Sequence, residues 1–345
     1  MADALDYDRI FLRERNAADT LSFVARHDPG MPRDELLEDY REFINRIWKG
    51  LPERPVNVCD LGRYALKVAA LTQLLTPDAP EIMEYLRMGA RGIAAAAARY
   101  IPGGGPVRVE LGRFGAIELP PVTDIAAELA TPWFTIQCIE VSDDGVTEVP
   151  VEPQVPRPDV ELSEIVSAYH AAFATGDAPT LQLLADVPMD LFADKPPQVT
   201  ERLFGLPQAR GLQLFAGGDA AGGRKFLFEA IDGCNSPELD EEFHYCAEFV
   251  VTPELALTLL HGMSDEEAVR DEGTKFMTFD QTLRDGLMTH RRFWRDVEMN
   301  PGEPQTHDPD GFIALGPLAW AATRYRRGLP VNITSDYLPR SVIEA

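Results

Sequence analysis

With 345 residues, 45% of them hydrophobic, the chain can bury a sizeable core in one large or two moderate domains. Its 56 acidic against 32 basic residues leave a formal charge of -24. That balance argues against direct binding of nucleic acid or an anionic membrane, whose phosphates would be repelled, and it favours a basic partner.

Helical patterning opens the chain. Over Pro32 to Lys49, the residues Leu36, Tyr40, Phe43, Ile47 and Trp48 fall along one stripe, and Gly50 and Pro52 stop it. Asn57 to Leu75 presents Leu61, Tyr64, Val68, Leu71 and Leu75 on one face, and the alanine-rich Glu81 to Tyr100 ends at IPGGGP. Short breaks between helices predict antiparallel neighbours. From Pro106 the period changes to two: VRVELGRFGAIEL reads as a hairpin, and WFTIQCIEV turns at Asp143-Asp144-Gly145 into VTEVPV. Residues 150–158, with four prolines, read as an extended connector.

Helices resume at Val160. Leu162, Ile165, Val166, Tyr169 and Phe173 form an apolar face, Gly176 breaks it, and Pro179 begins a partner helix ending at Pro188. A helix over Gln198 to Phe215 is followed by GGDAAGGRK, read as a flexible loop, and by a helix over Glu238 to Phe249. Thr252-Pro253 reads as a cap and first-turn proline for Glu254 to His261. Ser264 with Glu267 reads as a capping box opening the longest helix, which reaches Trp294 with Phe276, Phe279, Leu283, Leu287 and Trp294 along its buried face. In Gly311 to Arg340, Asp308 and Pro309 offer a helix start that Pro317 restarts or kinks. Arg324, Arg326 and Arg327 crowd the last turn, and Gly328 and Pro330 end it. The half-apolar VNITSDYLP then lies back over the helix and closes the domain. The expected fold is mainly α, an irregular array of antiparallel helical hairpins with a small β insertion around residues 106–150. It divides into an N-terminal helical half (1–105), the insertion and connector (106–158) and a C-terminal helical half (159–345), which can pack as one domain.

No residue pattern carries catalysis. Glu241 and His244 have the Glu-x-x-His spacing of carboxylate-bridged metals but lack a second pair, and His244 with Cys234 and Cys246 would converge poorly as zinc ligands. Gly217 to Lys225 lacks the ending of a phosphate loop, Asp143-Asp144 sits in a turn, and no serine has a Gly-x-Ser-x-Gly context. His170 and His290 read as core or boundary histidines; His27, His261 and His307 stand near helix ends or loops. Cys59, Cys138, Cys234 and Cys246 lack metal spacing, as suits thiols in a reducing compartment. The acidic MADALDYDRI has no apolar core, and Ile93 to Ala98 is too short to span a bilayer, so a cytoplasmic location is expected. What remains is surface. Glu238, Asp240, Glu241 and Glu242 form one acidic cluster and Asp265, Glu266 and Glu267 another, and as neighbours the two would present one partner-binding face. The plain alternative is a pair of solvated helix faces.

The run GFIALGPLAWAATRYRRGLPVNITSDYLPR resembles the C-terminal signature of the bacterial immunity protein 49 family, whose members neutralise toxins of polymorphic toxin systems. The shared features are Gly311, Leu315-Gly316-Pro317-Leu318-Ala319, Tyr325, Gly328, Pro330 and Ser335-Asp336-Tyr337-Leu338-Pro339. Ala168 to Phe192 is similar to the family's middle signature. The resemblance implies an antitoxin that binds a cognate toxin domain, with no catalytic residues, no cofactor and no metal; homo-oligomers are compatible with it. The β insertion and connector read as elaborations beyond the shared core. Two other readings remain: an all-helical metal-dependent enzyme with an unrecognised acidic site, and a helical scaffold.

Overall fold

The computed structural model describes residues 23–26, 34–124, 138–142, 145–149, 160–193, 198–239, 241–270, 278–296, 298–300 and 303–345. The fold is mainly α. Helices α1 (Asp34–Gly50), α2 (Val58–Leu75) and α3 (Glu81–Ala98) come first. α2 and α3 run antiparallel at backbone contact: a methyl group on Gly62 or Gly92 would sit 2.9 or 2.8 Å from main-chain atoms of the other helix. Tyr64 on α2 takes the aromatic stripe of α1, with Tyr40 and Phe43 ring centroids 5.3 and 4.7 Å away. This is the pairing that the short breaks predict.

The β elements are small two-stranded units. Strand β1 (Phe23–Val24) pairs in parallel with the C-terminal segment described below. β2 (Val107–Glu110) and β3 (Ala116–Leu119) form an antiparallel hairpin around Gly112–Phe114, with Val107 and Val109 buried and Arg108 and Glu110 exposed. β4 (Cys138–Ser142) and β5 (Gly145–Val149) form the second hairpin, closing between Ser142 and Gly145.

Helix α4 (Leu162–Thr175) starts at a capping box in which the Glu161 N–H donates to Glu164 at 2.7 Å. It packs on α3 through an all-alanine seam of Ala90, Ala171 and Ala172. Gly176, at φ +63°, turns the chain into α5 (Ala178–Ala185), where buried Asp177 accepts from Arg91 Nε at 2.6 Å. Next come α6 (Leu206–Ala216) and α7 (Ala220–Cys234). Then α8 (Glu241–Cys246), α9 (Thr252–Leu260), α10 (Asp265–Arg270) and α11 (Phe279–Asp296) follow. The short strands β6 (Glu298–Asn300) and β7 (Glu303–Pro304) precede α12 (Leu315–Arg326), β8 (Thr334–Ser335) and α13 (Arg340–Ile343).

α12 is buried on nearly all sides, from Gly316 through Ala322, which is why its sequence reads as apolar all round. Trp320 meets Phe173 of α4 at 4.9 Å between ring centroids. Arg324 is 2% exposed, and more than the helix dipole holds it there. Its Nε donates to Pro330 O at 2.9 Å, one terminal nitrogen donates to Met263 O at 2.5 Å, and its guanidinium lies 4.6 Å from the Phe279 ring. Gly328 at φ +73° ends the helix. The segment beyond it returns over the core as expected: Ser335 Oγ donates to Val24 O at 2.6 Å, Gln73 Nε2 donates to Asp336 O at 3.0 Å, and Tyr337 is fully buried. β8 completes the pair with β1.

Three expectations need correction. GGDAAGGRK is not a loop: Asp219 accepts from Gly222 N at 2.9 Å and caps α7, and Gly223 and Gly211 let α6 and α7 touch, so tertiary contact outweighs glycine's poor helix propensity. The helix opened by Ser264 does not run on to Trp294. α10 and α11 are separate, and α11 has its own box, with Thr278 N donating to Gln281 at 3.0 Å and Gln281 N to Thr278 Oγ1 at 3.3 Å. Thr252-Pro253 does not start a helix afresh either. The chain enters α9 through a π turn, Ala247–Val251, just as Glu201–Gly205 leads into α6 ahead of Pro207; a proline in the first turn has no N–H to give the preceding turn, and the wider turn absorbs the mismatch.

Candidate functional site

The acidic residues singled out from the sequence stand in different environments. Glu238 follows α7, is exposed, and lies 2.5 Å from Arg202. Asp265, Glu266 and Glu267 form the exposed first turn of α10, where negative charge meets the positive end of the helix dipole. Asp265 reaches buried Arg324 at 3.5 Å. Glu267 closes the capping box, accepting from Ser264 N at 2.8 Å and Ser264 Oγ at 2.9 Å, and those hydrogen bonds lower its carboxyl below the ordinary range. Glu241 and Glu242 open α8; Asp240 lies outside the described residues.

A second, buried constellation sits where four elements converge. α4 supplies Ser167 and His170, α6 supplies Gln208, α9 supplies Glu254, and the start of α12 supplies Leu315 and Gly316. Gly316 leaves room here: a Cβ on it would fall 2.3 Å from the Glu254 carboxyl carbon, so the side chain lies directly across the helix start. Gln208 Nε2 donates to Glu254 Oε2 across a long 3.5 Å, and His170 Nδ1 is 3.6 Å from the same oxygen. Burial pushes Glu254 up to about 8 and His170 down to about 3. At neutral pH the contact therefore joins a carboxylic acid to a neutral imidazole and is no ion pair.

Two cavities meet at this point and share Ser167, Val250, Glu254 and Leu315 as a wall. The first, about 420 Å³, contains charges that already have partners. Arg63 holds Glu164 at 2.9 Å and Asp60 at 2.7 Å, Lys67 lies 3.8 and 3.7 Å from Asp308 and Asp310, and His290 Nε2 is 3.1 Å from Gly311 O. The second, about 550 Å³, has His170, Gln208 and Phe204 in its buried part and exposed Glu161 and Gln198 toward its mouth. Both π turns wall it. Sequence reasoning reduced His170 to a core histidine and Glu254 to a helix-start residue. The available signal was a lone carboxylate opening the otherwise apolar PELALTLL.

These elements define a mainly α-helical protein in which, among the described residues, no helix is long and apolar enough to cross a membrane. The family model of Immunity protein 49 matches residues 122–342, and the chain belongs to that family. No curated protein and no solved structure matches the chain. The matched span takes in hairpin β4–β5 and the proline-rich connector, so only the β2–β3 hairpin of the expected elaboration falls outside it. The signature glycines also acquire physical causes: Gly316 admits Glu254, and a Cβ on Gly311 would lie 2.6 Å from the Trp294 ring.

Proposed function

We propose that the protein is an immunity protein that binds and neutralises a cognate toxin of a polymorphic toxin system. It acts by stoichiometric contact that covers the toxin's active surface, without catalysis, in the cytoplasm. The observation that carries this reading is the family match over residues 122–342. The formal charge of -24 agrees with a basic toxin, whose approach an acidic protein accelerates and whose phosphate-binding surface carboxylates can occupy. Glu238, Asp240, Glu241, Glu242, Asp265, Glu266 and Glu267 are the proposed contact residues, forming an acidic rim around apolar or aromatic anchors.

Co-expression with the toxin domain encoded by the neighbouring gene tests the reading. Growth is restored and the two chains co-purify. A toxin that still kills, with no complex recovered, overturns the assignment for that pair.

A further inference from the structure

The 550 Å³ cavity has a built interior that the family assignment leaves without a role. Its volume lies within the range of roughly 300–1,000 Å³ typical of ligand pockets. His170 lines it at 3% exposure, and its Nε2 has no hydrogen-bond partner among the described residues. A polar atom left so in an interior is costly unless an incoming group pairs with it. His170 Nδ1 faces the Glu254 carboxyl at 3.6 Å. At neutral pH burial keeps that carboxyl protonated, and a cation arriving beside it favours its ionised form; ionised, it can only accept, so Nδ1 carries the ring proton and Nε2 is left as an acceptor. An imidazole acceptor beside a carboxylate calls for a ligand with N–H donors and positive charge.

Two further observations point the same way. Of the acids in its wall, Glu161 accepts from the Glu164 N–H and Glu201 from the Gln198 N–H, whereas the contacts of Glu254 to Gln208 and His170 are long, 3.5 and 3.6 Å, so its carboxyl is the one open to an incoming group. The walls also include both π turns, through Phe204 and Gly205 on one side and Val250 and Val251 on the other. Such interruptions in α-helices recur at functional sites.

We propose that this cavity receives the ammonium or guanidinium end of a lysine or arginine side chain presented by the toxin, charge-paired with Glu254, while His170 orients that carboxylate through Nδ1 and offers Nε2, on the far edge of its ring, to a second N–H donor. The proposal rests on the immunity reading above and gives it an anchor: a basic side chain desolvated in a pocket dominates an interface more than any number of rim charges.

The first arm of the test uses n-butylguanidinium and n-butylammonium chloride as probes, with 1-butanol as the neutral control at matched ionic strength. Both cations raise the melting temperature of the wild-type protein above the shift given by butanol. That gain disappears in Glu254→Gln and in His170→Phe, each first shown by circular dichroism to fold. Equal shifts from cation and alcohol, or a gain that survives both substitutions, overturn the proposal. The second arm measures the toxin complex, where Glu254→Gln raises Kd by about tenfold or more. If the wild-type protein protects cells and binds toxin while Glu254→Gln binds equally well, the toxin-anchor proposal falls and the immunity reading stands, even where free cations bind. If the wild-type chain neither protects nor binds, the immunity reading itself falls.

Discussion

Glu254 and His170 are displaced in opposite directions by the same burial, and the consequence for stability has a definite sign. Glu254 moves from 4.5 to about 8, so the folded state holds its proton more tightly than the unfolded state. Its stabilising contribution is complete below pH 4.5 and is lost as pH rises through 8. His170 moves from 6.5 to about 3, so its contribution is complete above 6.5 and is lost as pH falls toward 3. Between 4.5 and 6.5 the two slopes cancel, and the pair favours mildly acidic conditions. At about 1.4 kcal/mol per tenfold in proton affinity, the Glu254 effect is bounded at a few kcal/mol. Glu254→Gln keeps the shape that Gly316 accommodates and removes the ionisation. Urea unfolding at pH 9 should therefore show the variant more stable than wild type, by up to about 3 kcal/mol once relaxation around the charge is allowed for, with little difference at pH 5. A stability change of the same size at both pH values would remove Glu254 as the titrating group.

At the level of elements, what the sequence discloses is periodicity, and what it conceals is contact. α1, α2 and α3 and both hairpins are legible because their apolar positions recur at helical or alternating spacing and because Gly, Pro and Asp mark their ends. α7 is not, since glycine at three of its positions argues against a helix until the neighbours are known. The π turns are equally hidden, because each continues a helix in sequence while shifting its register in space. The buried site was illegible for a related reason: Glu254 and His170 are 84 positions apart in the chain and meet only in the folded packing, where the Glu254 side chain lies over Gly316. Gly233 shows how contact decides. Leu203 lies four residues before Pro207, which has no N–H for its carbonyl, and that carbonyl abuts α7; a Cβ on Gly233 would sit 1.9 Å from it. Gly233→Ala should gain about 1 kcal/mol in helix propensity and lose more to overlap, for a net destabilisation of about 2 kcal/mol in denaturant unfolding. Gly50→Ala, where a Cβ meets nothing within 4 Å, is the matched control and should be neutral to mildly stabilising. Equal effects at the two positions would mean that propensity, and not packing, governs α7.

For the molecule as a whole the question is whether charge works as a field or as a face. A net charge of -24 attracts any basic protein, and at physiological salt that attraction is screened beyond about 8 Å. Specific steering therefore needs acids placed near the docking surface. Glu241, Glu242 and Glu266 are suited to the test: Glu267 is better left in place, because its carboxyl holds the start of α10 through Ser264. Reversing those three to lysine should slow association with the toxin by about tenfold at low salt, with the difference shrinking as salt is raised and the dissociation rate nearly unchanged. Reversing Asp39, Glu53 and Glu118 changes the net charge equally on exposed residues outside the matched span. If the protein steers through a face, only the first triple slows association strongly. If both triples slow it equally, the acidity acts as a general field, and the contact surface has to be sought around the Glu254 cavity.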